Sequence, residues 1–289
     1  MVTEAQDGPA RKRTPSMWSA GRALGNLEDP SPDPVIAPAV QDTPAADRAS
    51  PAPVHHHSQG NGPWLLVLSL KTIPEGAGAQ AEDGAPMPKP LHHRVAALAF
   101  LRARIISGGG TERLEAVECR AGGLATAGER DLLTGFWRAF EEWKPKLVTW
   151  NGRGFVLPVL KFRSMCHRLS ARYLHEAGDK WSGYNHRYAL THHVDMMDVL
   201  SDQHAGPFPS LHEVAECFGI GHRQETEDTA AMLAAGRIED VRASAEADAA
   251  ATFSAYVRWR AFTGAMSYAA HDEAVASCAA IPGGRGGQR

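Results

Sequence analysis

Cysteine, long apolar runs and net charge are all scarce in this chain of 289 residues. The four cysteines (Cys119, Cys166, Cys217 and Cys278) stand far apart, with no CxxC pair. That spacing argues against a disulfide framework or a cysteine zinc site, and a reducing, cytoplasmic setting is the expectation. No apolar stretch approaches the roughly 18 residues of a bilayer span, so no membrane role is expected. The formal net charge of −3 gives no global basic footprint for nucleic acid. A local footprint remains, because Lys and Arg recur from Lys144 to Arg172.

One further scarcity bears on chemistry. Residues 146–158 (KLVTWNGRGFVLP) read as a buried strand, a glycine turn and a helix start. Ligands and catalytic groups of α/β proteins gather at such carboxyl ends of strands. The residue best placed to work there is Val156, which has no lone pair to offer.

The 43% apolar content fits a globular protein but is unevenly spread. Residues 1–62 are rich in Pro, Ala, Asp, Gly and Ser and lack periodicity, so they read as a disordered leader. No apolar h-region follows Arg11-Lys12-Arg13, which argues against a signal peptide. Residues 63–268 read as the folded domain and 269–289 as a flexible tail.

Within the domain, Trp64–Ile73 is an apolar run ended by Pro74 and reads as a buried strand. Arg94–Ser107 and Leu114–Arg120 read as two further strands, with Gly108-Gly109-Gly110 as their turn. From Glu129 the period changes, with Leu132, Leu133, Phe136, Trp137 and Phe140 on one helical face until Pro145. Leu147–Trp150 is a short strand, Phe155–Leu169 a helix with Pro158 in its first turn, and Thr191–Val199 a strand or strand end. Ser210 and Glu213 form a capping box for a helix closed by Gly219. Thr226–Phe262 reads as two helices broken near Gly236. This order predicts one α/β domain with a mixed central sheet flanked by helices.

Several groups are candidate sites. Asn151-Gly152-Arg153-Gly154 reads either as a phosphate cradle at a helix start or as a plain strand-to-helix turn. On a strand, His193 and Asp195 share a face, but two ligands make no metal site, and a polar strand end is preferred. Asp198 reads as a cap. His55-His56-His57 and His92-His93 are adventitious metal binders at most. Asp248 is a poor interior residue for its Ala-rich helix; taken alone, it reads as part of a solvated face.

Together these pieces resemble one family, the predicted 3′-5′ exonucleases related to the proofreading domain of family B DNA polymerases, from about Trp64 to Gly264. Thr72 and Pro74 match the family's Asp-x-Glu-Thr and proline strand. Asn151 to Leu160 matches Asn-Gly-Arg-Gly-Phe-Asp-Leu-Pro-Val-Leu, and His193, Asp195 and Asp198 match His-x-Asp-x-x-Asp. Ser210 to Gly221 matches a Ser-Leu-x-x-x-Ala stretch and its turn, and Ser244 and Asp248 match Tyr-x-x-x-Asp. The resemblance implies an RNase H-like exonuclease fold of the DEDD type. It also implies acidic ligands for two divalent metals, Mg²⁺ or Mn²⁺.

Against that pattern, Ser69 and Lys71 stand where the first strand's Asp and Glu are expected, Val156 where an Asp is, and Ser244 where a Tyr is. Asp248 alone is retained as a catalytic acid. Three readings follow. The first is a pseudoenzyme that binds single-stranded nucleic acid with little or no cleavage and no cofactor. It would use Asn151, Gly152, Arg153 and Phe155, aided by Arg163 and Trp150, with Lys71 either salt-bridged to Asp248 in place of metal or contacting a phosphate as a point charge. The second is an active exonuclease with Mg²⁺ or Mn²⁺ on surrogate carboxylates Glu75, Asp195 and Asp198. The third is a regulatory or scaffold protein without a nucleic-acid role. The sequence identifies no protein partner.

Overall fold

Strand β1 (Trp64–Pro74) is the axis of the sheet, and its alternation sets the whole architecture. Leu65 and Val67 point into one core while Leu66 and Leu68 point into another on the opposite face. The computed structural model describes residues 63–76, 89–108, 111–123, 128–222 and 227–283. The expected leader, the His55–His57 run, most of the Gly108–Gly110 turn and the last six residues lie outside the described residues.

β1 pairs antiparallel with β2 (His93–Gly108), and β2 antiparallel with β3 (Thr111–Gly123). On its other side β1 runs parallel to β4 (Lys146–Thr149), which runs parallel to β5 (His193–Asp195). The sheet order is β3-β2-β1-β4-β5. This is the expected mixed sheet flanked by helices, and the RNase H-like α/β expectation holds.

One face is covered by α1 (Glu129–Trp143) and α2 (Leu157–Cys166), whose Leu133, Phe136, Phe140 and Leu160 meet Leu66, Leu68 and Leu147. The other face is covered by α7 (Ile238–Phe262), with Ala249, Ala250 and Phe253 against Leu65, Val67 and Val148. The small alanines let this long helix lie close to the strands. Shorter helices link these layers: α3 (Arg172–Glu176), α4 (Met196–Leu200), α5 (Leu211–Phe218) and α6 (Thr229–Ala234). The capping box on α5 is present, and Gly219 closes that helix at φ 67°.

Two expectations need correction. The strand expected over Thr191–Val199 is confined to three residues, because Asp195 accepts a hydrogen bond from Met197 N and starts α4. Residues 269–280, expected within a flexible tail, belong to helix α8 (Tyr268–Ala280). Ser267 caps it, and Ala270, Ala274 and Cys278, four residues apart, enter the core beside β3.

β3 is an edge strand, and side chains meet two of its amides. Ala116 N donates to Ser277 Oγ of α8 at 2.9 Å, and Ala121 N to Glu246 Oε1 of α7 at 2.9 Å.

Candidate functional site

Two clusters form at the carboxyl ends of the parallel strands. The first lies where β1 faces α7. Ser69 and Lys71 are two residues apart on β1 and face the same way, opposite Ala99 and Ala97 of β2. Those alanines pack beside Ala245 of α7, so Asp248, one turn further along, meets both β1 side chains. Lys71 Nζ lies 2.8 Å from Asp248 Oδ2, and Ser69 Oγ donates to the same oxygen at 3.5 Å. The other carboxylate oxygen is 2.9 Å from His222 Nε2. An ionised carboxylate only accepts, so Nε2 carries a proton there. Nδ1 of His222 is buried with no partner among the described residues.

Burial pushes the Asp248 carboxyl upward, but the His222 hydrogen bond and the Lys71 ammonium outweigh it and hold the group below the ordinary carboxylate range. Asp248 is therefore a charged, doubly paired group rather than part of a solvated face. The salt bridge expected between Lys71 and Asp248 is present. His222 carries no signal in the sequence: it lies on another segment, and no local pattern links it to Asp248.

Val156 and Ser244 do not join this cluster. Val156 is buried with Leu66, Leu68 and Leu157 on the opposite face of the sheet, so it does not meet Lys71 and Asp248 although the resemblance assigns all three to one site. An apolar side chain at a helix start gains by turning into the core. Ser244 precedes Asp248 by one turn of α7 and is half-buried.

The second cluster lies at the ends of β4 and β5. Asn151 has φ 52°, and residues 152–156 form a wide helical turn before α2. A Cβ on Gly152 would lie 1.9 Å from Thr149 Oγ1 and 2.9 Å from His193 Nε2, while those two atoms bond each other at 2.8 Å. A Cβ on Gly154 would lie 2.3 Å from Asn151 Oδ1. These glycines thus make room for the protein's own side chains, which supports the plain-turn reading of the segment.

Arg153 is engaged in the same way. Its backbone N donates to Asp195 Oδ2 at 2.7 Å, its guanidinium donates to His186 O at 2.9 Å, and Asp198 Oδ2 lies 3.6 Å away. Asp198 is buried and also pairs with Arg187 at 2.8 Å and with His204. It is an ion-pair hub, and Asp195, not Asp198, is the helix cap. Burial pushes the His193 imidazole down to about 3, so it is neutral. Burial pushes the Asp195 carboxyl up.

The other expected residues have structural partners as well. Phe155 packs edge-on against His93, with ring centroids 4.9 Å apart, and Trp150 packs against the α7-side core. Arg163 bonds Glu129 and Glu75, the latter at 2.8 Å. Glu75 therefore answers Arg163, while Asp195 and Asp198 share Arg153. Among the described residues, no group of three or more His, Cys, Asp or Glu is placed to hold a metal ion.

Comparison with known proteins supports the family named by the sequence resemblance, over a span that begins after β1. A family model described as predicted 3′-5′ exonuclease related to the exonuclease domain of PolB matches residues 86–282. No curated protein sequence matches the chain. Among solved structures, the family B DNA polymerase of the archaeon Pyrobaculum calidifontis is 17% identical with a TM-score of 0.41, covering 75% of this chain and 29% of that one. A product-bound exonuclease I is 13% identical with a TM-score of 0.34, covering 63% of this chain and 44% of that one. Escherichia coli exonuclease I bound to an oligonucleotide is 13% identical with a TM-score of 0.31, covering 62% and 40%. The chain spans less than half the length of each.

Proposed function

The chain belongs to the family of predicted 3′-5′ exonucleases related to the exonuclease domain of PolB, and from that premise we propose that it binds nucleic acid without cleaving it. One observation carries this reading: Lys71 Nζ sits 2.8 Å from Asp248 Oδ2. The resemblance assigns Lys71 to a position of an acidic ligand. Here an ammonium neutralises the one carboxylate retained among the signature positions.

Two divalent metals need several hard, anionic oxygen donors. The cluster offers an alcohol, an ammonium and one carboxylate already bound by Lys71 and His222. These residues do not fit a two-metal site. Ser69, Lys71, Val156 and Ser244 are read as positions whose catalytic role has lapsed. The surrogates Glu75, Asp195 and Asp198 are each paired elsewhere, which weakens the active alternative. A cytoplasmic setting accords with four free cysteines and is part of the proposal. Among the described residues, no helix is long and apolar enough to cross a membrane.

The test is incubation of the full chain with end-labelled single-stranded DNA in Mn²⁺, beside an Asp248→Ala variant. Intact DNA in both samples is expected, together with a mobility shift that fades as salt rises. Metal-dependent shortening that disappears in the variant would sink the proposal.

A further inference from the structure

The groups that the motif marks for nucleic acid are largely engaged inside the protein, so a bound strand needs other contacts. We propose that single-stranded nucleic acid binds on the outer surface of α2 and the loop over residues 178–188. This inference rests on the nucleic-acid reading above and assigns it a place.

Charge is the first support. From Lys144 to His175 the chain carries Lys and Arg but no Asp or Glu. Some of these cations are spent internally: Arg163 on Glu129 and Glu75, Arg153 on Asp195 and Asp198, and Arg172 on Glu176 at 2.7 Å. Arg168 and Lys180 are exposed, and Lys161 is half-exposed. Asp179, adjacent to Lys180 in the chain, is a counter-charge whose carboxylate accepts from Trp181 N and Ser182 N. The balance stays positive, which suits a phosphate backbone.

The second support is aromatic. Trp181 is 75% exposed and Tyr188 77% exposed. Large apolar rings left in water on a loop gain by being covered. Phe162 on α2 adds a further ring at 39% exposure. Lys180 Nζ lies 5.0 Å from the Trp181 ring centroid, so a cation and a π-face occupy one spot.

The third support is connectivity. Lys161 Nζ donates to Asn185 Oδ1 at 2.9 Å, and Asn185 Nδ2 donates to Leu174 O at 3.3 Å. These bonds tie the loop to α2 and α3. Arg153 anchors the same loop from below through His186 O. Unpaired bases stack on exposed rings whatever their identity, whereas paired bases have no free face to offer. The partner is therefore a single strand bound without sequence preference.

Fluorescence anisotropy of a labelled oligo-dT in low salt tests the site, using the full chain and its Trp181→Ala and Tyr188→Ala variants. Each variant is expected to bind roughly fivefold or more weakly, the scale of one base stack removed. Arg168→Glu combined with Lys180→Glu is expected to lower the salt slope by about 1.4, at roughly 0.7 for each phosphate no longer neutralised. All four are surface positions, so unchanged circular dichroism provides the folding control. Wild-type affinity retained in every variant would overturn this placement while leaving the nucleic-acid reading intact. Equal affinity for a duplex would overturn the stacking mode. Self-association of the chain that is abolished in Trp181→Ala would mark the rings as an interface between copies and overturn the inference. A wild-type chain that binds no oligonucleotide would remove the reading on which the inference rests.

Discussion

The end of β1 and the end of β4 sit side by side in the same sheet yet match the family's wording very differently. At the β4 end, Asn151-Gly152-Arg153-Gly154-Phe155 stands as the family writes it. At the β1 end, Ser69 and Lys71 stand where two acids are expected. The local bonding explains the contrast. Gly152 is required by the Thr149–His193 bond, and Arg153 closes on Asp195, Asp198 and a loop carbonyl. Changing either residue disrupts packing whether or not the site does chemistry. Ser69 and Lys71 share Asp248 as a partner, and the ammonium pairs with that carboxylate at 2.8 Å. The wording persists where packing demands it and differs where the side chains answer one shared carboxylate.

The contrast is most exposed to Gly152→Ala. A methyl group placed 1.9 Å from Thr149 Oγ1 forces the turn apart, and a loss of about 3 kcal/mol is expected in urea unfolding. Part of it should return in the double variant with Thr149→Ala, whereas a neutral Gly152→Ala would show that packing does not hold the motif.

Asp248→Ala is expected to cost about 2 kcal/mol, because it strands the Lys71 ammonium at 10% side-chain exposure. Adding Lys71→Met should recover most of that loss. A double variant no more stable than the single one would mean that the pair is not the source of the cost.

The smallest effect separates the two ends by pH. His193 is held near 3 against an ordinary 6.5, so between those values the unfolded chain binds a proton that the folded chain refuses. Its contribution is complete above pH 6.5 and is lost as pH falls, at up to about 1.4 kcal/mol per unit. Asp248, held below an ordinary 3.8, contributes above that value and loses its contribution only as pH falls below it. Stability measured from pH 7 to 5 should therefore decline in the parent chain and flatten in His193→Gln. An identical slope in that variant would assign the decline to other groups.

Strand and helix positions are legible in the sequence because each carries its period locally. Leu65 to Leu68 alternate between cores, and Ser210 with Glu213 writes a cap over four residues. The segment after β5 is not legible, because a buried apolar run does not distinguish a strand from a short helix; Asp195 decides it through a hydrogen bond two residues ahead. Helix α8 escapes notice because its buried stripe is mainly alanine, a weak hydrophobic signal. At the site, the Lys71–Asp248 pair follows from aligning two motifs. His222 does not, since only the fold brings the segment after α5 against α7. Val156 is assigned by its slot in a motif, while its side chain follows its solubility into the α2-side core.

The bonds at the outer edge of β3 affect how the molecule behaves in concentrated solution. An edge strand with unanswered amides is a template on which another chain can add a strand and begin an aggregate. Ser277 and Glu246 occupy two of those amides from helices that lie across the strand. A chain shortened before α8 would lose the first of these guards and uncover the side of the core that Ala270, Ala274 and Cys278 cover. Its first symptom would be sticking to itself.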